Sequence, residues 1–519
     1  DKERKQAFID ALENITHDFP DDIEARALLA LHLWEYRSRI PISSYQAVDA
    51  VIQQVFKKNP MHPSHHYRIH LWDGKRASTA LSSAARCGQS APGIAHMWHM
   101  AGHIYDKVKR YDDAAWQQEA SARTDHAFMM RDRVMPDQIF NYAHNNEWLC
   151  RSLMNVGRAH DAVALAKNMI ELPRHPKYNN GSGSFTYGQR RLFDALERFE
   201  MWDEILTCTQ NVYLKADDDN DTVRNLRIRG IAFLAKGDRK SADAVVSELE
   251  KFEADKKAEQ DKPGHEAAAN ATEEKKDDKA VDKARDEARK KLNDVIGKAG
   301  AAMAEIRGWM AIADGKQDEG LKLIEGAKDT PKWRLAYAYL EAGNAKKAEE
   351  TAEGEVKRRE NQTHPLAILA DIQLRAGRKN EAVEYFKKLH KLAGQVDLDV
   401  PPYARLAAVA KEVGLSKGDW RPKYEMRDDV GDRPSLDELG PFRWSPSPAP
   451  QWSLKDADGK SVSLKDYRSK PVIVIFFLAH GCVHCVEQLN AFAPMAEEVR
   501  KAGIEIIGVS TDHVEDLKK

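Results

Sequence analysis

From Asp21 to about Val245, apolar residues recur every three or four positions and no period-two stretch is sustained. The stretches IEARALLALHLWEY, SYQAVDAVIQQVF, DDAAWQQEASARTD, NEWLCRSLMNVG and AHDAVALAKNMIEL each predict an amphipathic helix, so this half of the chain is expected to be all-α. The pattern lapses after Leu392 into DDVGDRPSLDELGPFRWSPSPAPQW, where Pro434, Pro441, Pro446, Pro448 and Pro450 resist helix and favour extended chain. From Gln451 the periodicity changes again. WSLKDADGKSVSLKDY predicts a hairpin about Asp458-Gly459, PVIVIFFLA a buried strand, CVEQLNAFAPMAEEVRKAG a helix and IEIIGVSTD a second buried strand. Strand, helix and strand at this spacing make a parallel α/β unit.

Several helix pairs turn through a small or basic corner followed by Ala: KRYDDAA at 109–115, GRAHDAV at 157–163, GDRKSAD at 237–243, GNAKKAE at 343–349 and GRKNEAV at 377–383. Gly343 and Gly377 stand 34 residues apart, and the Gly-x-x-x-x-Ala corner resembles the turn of the tetratricopeptide repeat. Between Lys251 and Lys291 large apolar residues all but vanish, and Pro263-Gly264 interrupts the charge run. Such a segment buries too little surface to offset its ordering entropy, and a solvated insertion is expected. The expected organisation is a His-rich helical domain at 1–250, the charged insertion or linker at 251–292, tetratricopeptide repeats at 293–395, a Pro-rich connector at 396–449 and the α/β unit at 450–519. The fold class is therefore mostly α: an α-solenoid of tetratricopeptide-like helix pairs followed by a smaller α/β domain.

At 519 residues the chain exceeds one core, and two to four domains are expected. The 80 Lys+Arg nearly balance the 82 Asp+Glu, which argues against nucleic acid or an anionic membrane as partner. No run approaches the roughly 20 apolar residues of a membrane span. The chain opens on Asp1 rather than Met, which is consistent with a processed leader and an extracytoplasmic location. No phosphate loop, dinucleotide fingerprint or nucleophilic triad stands out, and NNGSGSFTYGQRR at 179–191 reads as a loop between repeats.

Five cysteines do not make a disulfide scaffold in a chain of this length. Cys87, Cys150 and Cys208 stand alone and read as small buried hydrophobes. Cys482 and Cys485 differ, because Cys482 follows a predicted strand and opens a helix in FFLAHGCVHC. Backbone donors there favour thiolate at Cys482, and Cys485 can resolve a mixed disulfide. A structural zinc half-site is disfavoured, since no second Cys pair completes it. With APQWSLKDADGKSVSLKDY and IIGVSTD alongside, residues 450–519 resemble the redoxin branch of the thioredoxin superfamily, which holds alkyl hydroperoxide reductases and thiol-specific antioxidant proteins. The resemblance implies that Cys482 attacks, that Cys485 resolves and that His484 between them stabilises the thiolate. A peroxidatic cysteine of that branch follows a Thr three residues earlier, where this chain has Ala479, so disulfide exchange is expected ahead of peroxide reduction. The resemblance also implies further strands, a helix and a cis-proline segment, and the sequence stops at Lys519 before them, so the redox domain is expected to be incomplete as it stands.

Nine of the 19 histidines fall between positions 62 and 144. In AHMWHMAGH, His96, His99 and His103 lie at i, i+3 and i+7 and leave one helix face. His66 and His70 form an i, i+4 pair with Asp73 close by, His99 and His103 form a second pair on what should be the next antiparallel helix, and NYAHNNEW adds His144 with Glu147. Two such pairs on neighbouring helices could converge on one ion. The first half also resembles a bacterial group of tetratricopeptide-like proteins marked by a His-Pro and His-Tyr-x-Ile-His run, His-Met-x-x-His-Ile-Tyr, and Tyr-x-x-His-Asn, here His62-Pro63, 66–70, 99–105 and 142–146. That resemblance implies joint action of His66, His70, His99, His103 and His144, with Asp73, His96 and Glu147 as further candidates. His62 sits one residue closer to His66 than in that group, so His62 and His65 are not carried over. Imidazole-rich sites suit copper first by affinity, with zinc or iron as alternatives that an added carboxylate would favour.

The expected function is that of a metal-binding helical-repeat protein with a CxxC domain, a thiol-disulfide or metal-dependent oxidoreductase. Its partners are expected to be a protein or peptide on the repeats and a disulfide or thiol at the cysteines. The alternatives are a metal-free scaffold presenting partners to a disulfide reductase, and a thiol peroxidase.

Overall fold

The computed structural model describes residues 1–174, 183–259, 266, 270, 278–415, 418–446, 448–479 and 481–517. Part of the predicted insertion, 260–265, 267–269 and 271–277, and the first residues of the 179–191 stretch lie outside the described residues; the rest of that stretch is not a loop as expected but opens the helix Ser184–Arg198. The chain divides into two units, Asp1–Trp444 and Ser445–Lys519.

The first unit is an array of helices, each packed on its sequence neighbours: Ile23–Glu35 on Tyr45–Lys58, Ala95–Lys107 on Tyr111–Asp132, Phe140–Val156 on Ala159–Glu171, Lys332–Glu341 on Ala345–Arg358, and Thr363–Arg375 on Lys379–His390. The corner motif has a physical basis. Gly343 and Gly377 both take φ +80°, which lets the next amide reach back to the helix: Asn344 N–H donates to Tyr339 O and Arg378 N–H to Gln373 O, each at 2.8 Å. At the basic corner Lys109 adopts the same left-handed turn, and Arg110 N–H donates to Tyr105 O at 2.9 Å. Five residues beyond each corner the next helix crosses its partner, and the residue there is small and wholly buried: Ala114, Ala162, Ala242, Ala348 and Ala382 are all 0% exposed. At the corner after Ala313, Gly320 takes that position, and a Cβ there would meet Gly308 O at 2.5 Å.

The helical regions predicted on either side of residue 250 are one packed body. A single core joins Leu149, Leu165 and Leu196 to Leu366, Phe386 and Tyr403, and Asp397 N–H donates to Gly157 O at 3.0 Å. The flanks of the predicted insertion are helical too, since Arg239–Ala258 and Asp278–Ala313 pack on each other and on Asp219–Ala235. Between them Glu305, 0% exposed, bridges Arg227 and Arg334 at 2.9 Å each, and Glu197 caps the same two guanidiniums.

The predicted connector is the main correction to the domain organisation. Residues 401–412 are still largely helical, and the chain beyond runs back over the first helices as a strap. Arg433, 2% exposed in its side chain, reaches the buried Asp113 at 2.8 Å and lies over Trp116; Arg427 also holds Asp113, and Asp429 holds Arg110. Gly431 and Gly440 pass so close to Ala85 O and Arg123 O that a Cβ would stand 2.1 and 2.0 Å away. Proline and charge kept this segment from reading as packed structure, yet ion pairs to residues 314 to 320 positions upstream fix it.

In the second unit Ser453–Lys455 pairs antiparallel with Ser461–Ser463 across Gly459, φ +77°. Val472–Phe477 pairs parallel with Glu505–Ser510. The expected single helix is broken at Pro494 into Val483–Phe492, a 3-10 turn Ala493–Met495, and Ala496–Lys501. The expected buried strands are only partly covered: Ile475 is buried but Phe476 is 72% exposed, because two strands and these short helices leave one sheet face bare among the described residues. No helix of the described residues is long and apolar enough to cross a membrane.

Candidate functional site

Three helices of the first unit bring six histidines into a continuous seam: His65–Asp73, Ala95–Lys107 and Phe140–Val156. Ring centroids follow one another from His66 to His70 (4.6 Å) and His96 (4.9 Å), from His96 to His99 (5.9 Å), and from His99 to His103 (4.6 Å) and His144 (4.7 Å). Helix Leu81–Ser90 lies in sequence between the two His-x-x-x-His helices, so they are not consecutive as expected. Nor do the two pairs converge on one point. Each pair recruits a third ring, giving one triad of His66, His70 and His96 and another of His99, His103 and His144, with ligand nitrogens all within 4.8 Å inside each triad.

The second triad is the tighter. His103 Nε2 and His144 Nε2 stand 2.8 and 3.2 Å from His99 Nε2. Gln118, 0% exposed, fixes the central ring: its Oε1 lies 2.8 Å from His99 Nδ1, and its Nε2 donates to His99 O at 3.2 Å. That bidentate grip orients the amide, so Nδ1 carries the proton and Nε2 offers its lone pair to the centre of the triad. Gly102 makes room for it, since a Cβ there would meet Gln118 Nε2 at 2.3 Å. Trp148 packs on His103 at 4.2 Å and Trp34 stacks on His70 at 4.5 Å, walling the seam with aromatic rings. Gln118, Trp34 and Trp148 were not singled out in sequence; the Gln pair within an otherwise small-residue helix face, AWQQEASA, was the available signal.

Burial, reinforced by the neighbouring imidazoles, pulls His99 down to about 2, His66 to about 3, and His70 and His103 to about 4, and lowers His96 as well; burial also lowers His144, against the opposing pull of Glu147. All six are neutral at ordinary pH, the form a metal requires. The donor spacing also suits a tetrahedral ion. Nitrogens about 2.0–2.1 Å from a tetrahedral ion stand roughly 3.3 Å apart, close to the spacings about His99. In the other triad His66 Nε2 is buried with no hydrogen-bond partner among the described residues, an orphan that a cation would satisfy.

The candidate carboxylates stand apart from both triads. Glu147 is held by Arg191 and, at 3.3 Å, by Arg190. Asp73, its carboxyl raised by burial and lowered in turn by Lys107, is a member of neither triad. The remaining clustered histidines have structural partners: His65 stacks on Phe56 and meets Ser83 and Pro60 O, His62 meets Glu24, and His126 meets Pro441 O of the strap.

In the second unit Cys482 and Cys485 form a disulfide with Cα atoms 5.2 Å apart. Cys482 is the N-cap of Val483–Phe492, its Sγ accepting from Cys485 N–H at 3.3 Å, so the first sulfur sits on the positive end of the helix. His484 is exposed, with its Nδ1 3.3 Å from Glu487. Cys87, Cys150 and Cys208 are free and buried, and burial pushes the Cys208 thiol up to about 11 and Cys150 to about 12, which makes them inert beside the CxxC pair.

Fold and sites together define a helical-repeat protein with a histidine seam, joined to an α/β thiol unit. Residues 446–519 match the AhpC/TSA family. Within that region the chain is 48% identical over 63 residues to "Peroxiredoxin Q, chloroplastic" of Gentiana triflora, which is 12% of this chain and 29% of that one. The protein of the same name from Sedum lineare is 40% identical over 72 residues, 14% of this chain and 39% of its own. The chain thus spans well under half the length of the curated relatives it matches. Among solved structures, a chain of the APC/C hetero-tetramer Cut9-Hcn1 aligns over 80% of this chain and 82% of its own, at 10% identity and a TM-score of 0.27.

Proposed function

We propose that the protein is a metal-binding oxidoreductase in which the helical repeats hold two three-histidine metal sites and the α/β unit carries out thiol-disulfide exchange. The observation that carries the metal reading is the division of six neutral imidazoles into two compact triads, one of them locked by Gln118. His66, His70 and His96 would hold one ion, and His99, His103 and His144 the other. With Glu147 engaged by arginines, the donors are all imidazole, which favours copper over iron. A bound copper ion would supply one-electron redox chemistry.

At the thiol unit, the reduced Cys482 thiolate attacks one sulfur of a partner disulfide, forming a mixed disulfide and expelling the partner's other sulfur as thiolate. Cys485 then attacks Cys482 Sγ, which releases the second partner thiolate and leaves the Cys482–Cys485 disulfide, two electrons having passed to the partner. Its position at a helix N-terminus supports Cys482 as the attacking sulfur. A second reading, reduction of peroxide by Cys482, is supported by the likeness of this unit to proteins named peroxiredoxin Q.

Metal analysis by inductively coupled plasma mass spectrometry on untagged protein tests the first half of the reading. Two equivalents are expected after reloading with copper, falling to one in His99→Ala/His103→Ala; absence of metal from the reloaded protein refutes it. Turnover of a disulfide and of hydrogen peroxide, measured side by side with Cys482→Ser as the blank, decides between the two thiol readings.

A further inference from the structure

Apart from the histidine triads and the cysteines, the first unit contains a cavity of about 580 Å³ between helices Phe140–Val156, Ser184–Arg198, Lys332–Glu341, Ala345–Arg358 and Thr363–Arg375. That volume falls within the roughly 300–1,000 Å³ of small-molecule sites. Its charges do not balance. The three carboxylates of the wall are consumed within the protein: Asp194 by Arg191 at 2.8 Å, Glu197 by Arg227 and Arg334 at 2.7 and 2.9 Å, and Glu355 by Arg358 and Arg359 at 2.7 and 3.0 Å. Arg151, Arg198, Lys328 and Lys332, which also line it, form no direct ion pair with a carboxylate among the described residues, although Asp194 and Glu355 lie near enough to Arg198 to favour its charge.

Arg198 is the most telling of these. Its guanidinium donates only to neutral amide oxygens, Asn155 Oδ1 and Gln362 Oε1. Burial and the neighbouring Arg359 pull it down to about 10, so the site works against its own charge. Beside it His364, 3% exposed, leaves Nε2 without a hydrogen-bond partner among the described residues. A half-buried guanidinium that stands in no ion pair is a cost that a bound anion would remove.

We propose that this cavity binds a small organic polyanion carrying two or more carboxylate or phosphate groups, with Arg198 at its floor and Arg151, Lys328 and Lys332 about it. The planar guanidinium of Arg198 presents paired donors that match an oxyanion, and the Trp333 ring lines the same space as a flat apolar wall. The size of the cavity favours a small molecule over an extended acidic chain. The proposal is independent of the metal reading, because none of the six seam histidines lines the cavity.

The test is isothermal titration calorimetry on the full chain, with citrate and inorganic pyrophosphate as small probes and a hexaglutamate peptide as a separate arm. Metal content is recorded in parallel, so that a failure of the triads is seen separately. Citrate or pyrophosphate is expected to bind at one equivalent. Arg198→Gln is expected to weaken binding tenfold or more without lowering the unfolding temperature, since it removes a charge that stands in no ion pair. Lys332→Ala, at the same cavity, is expected to weaken it severalfold and guards against a folding defect in the first variant. Saturation by neither small anion at millimolar concentration, binding indifferent to both substitutions, or binding of the peptide alone would each overturn the proposal.

Discussion

Replacing Gln118 by Met tests the geometry of the tighter triad most directly. The substitution keeps side-chain length but removes the acceptor that lies 2.8 Å from His99 Nδ1 and the donor that meets His99 O at 3.2 Å. His99 then loses the contact that sets its tautomer and aims Nε2 at His103 and His144. Loss of such an outer contact to a ligating His costs about 10–100-fold in metal affinity, or roughly 1.4–2.7 kcal/mol. The effect has to be read one site at a time. In a His66→Ala background, where only the His99 triad remains, competition against a chelator of known affinity should show the dissociation constant rising by about 10–100-fold. In a His99→Ala background the same substitution should move the His66 triad by less than about threefold, since Gln118 makes no contact there. A buried N–H left without an acceptor costs the fold itself about 1–3 kcal/mol, so thermal unfolding is followed alongside. Equal weakening in both backgrounds, or none in the first, refutes the assignment of Gln118 as the group that orients His99.

Burial raises Asp125 to about 7 from an ordinary 3.8, against the opposing hydrogen bond from Asn145. The folded protein therefore keeps a proton that the unfolded chain has already lost, and stability falls as pH rises from about 4 through about 7, by at most about 4 kcal/mol. Asp125→Asn should flatten that dependence in urea midpoints, with no change at pH 4 and a gain at pH 8. Glu305→Ala leaves two buried guanidiniums, Arg227 and Arg334, to share Glu197 alone, one positive charge uncompensated, and should destabilise the first unit by about 3–5 kcal/mol in denaturant unfolding. Gly431→Ala drives a Cβ into Ala85 O at a φ of +71°, and should lift the strap, seen as new protease cleavage between residues 423 and 444 together with a stability loss of at least about 1 kcal/mol. Cys485→Ser should accumulate a mixed disulfide with a disulfide substrate on non-reducing gels and Cys482→Ser should not; the reverse pattern would exchange the roles of the two sulfurs.

The helical array was legible because its information is local: a period of three to four, a left-handed corner, and a small residue five positions on. The strap was not, because Arg427, Asp429 and Arg433 find their partners at Arg110, Asp112 and Asp113, and no local pattern carries a contact of that range. The histidines were legible as a set and not as a partition. Regular spacing placed His96, His99 and His103 on one stripe, but only the positions of the flanking helices assign His96 to one triad and His99 with His103 to the other. Glu147 was over-weighted for the same reason, since Arg191, which engages it, is remote in sequence. The cationic cavity left no trace in the sequence because its walls come from five separate helices.

One helix, Ala95–Lys107, serves both triads, giving His96 to one and His99 and His103 to the other. Those two allegiances begin three residues, roughly 4.5 Å of rise, apart on a single rigid rod. An ion that draws His96 toward His66 and His70 also turns or slides the rod that carries two of the other site's three donors. Filling one site therefore changes the work of closing the other, and thermodynamic linkage makes that influence mutual and equal. Ions held in both triads would thus bind cooperatively, each reporting on the other's presence through the backbone they share.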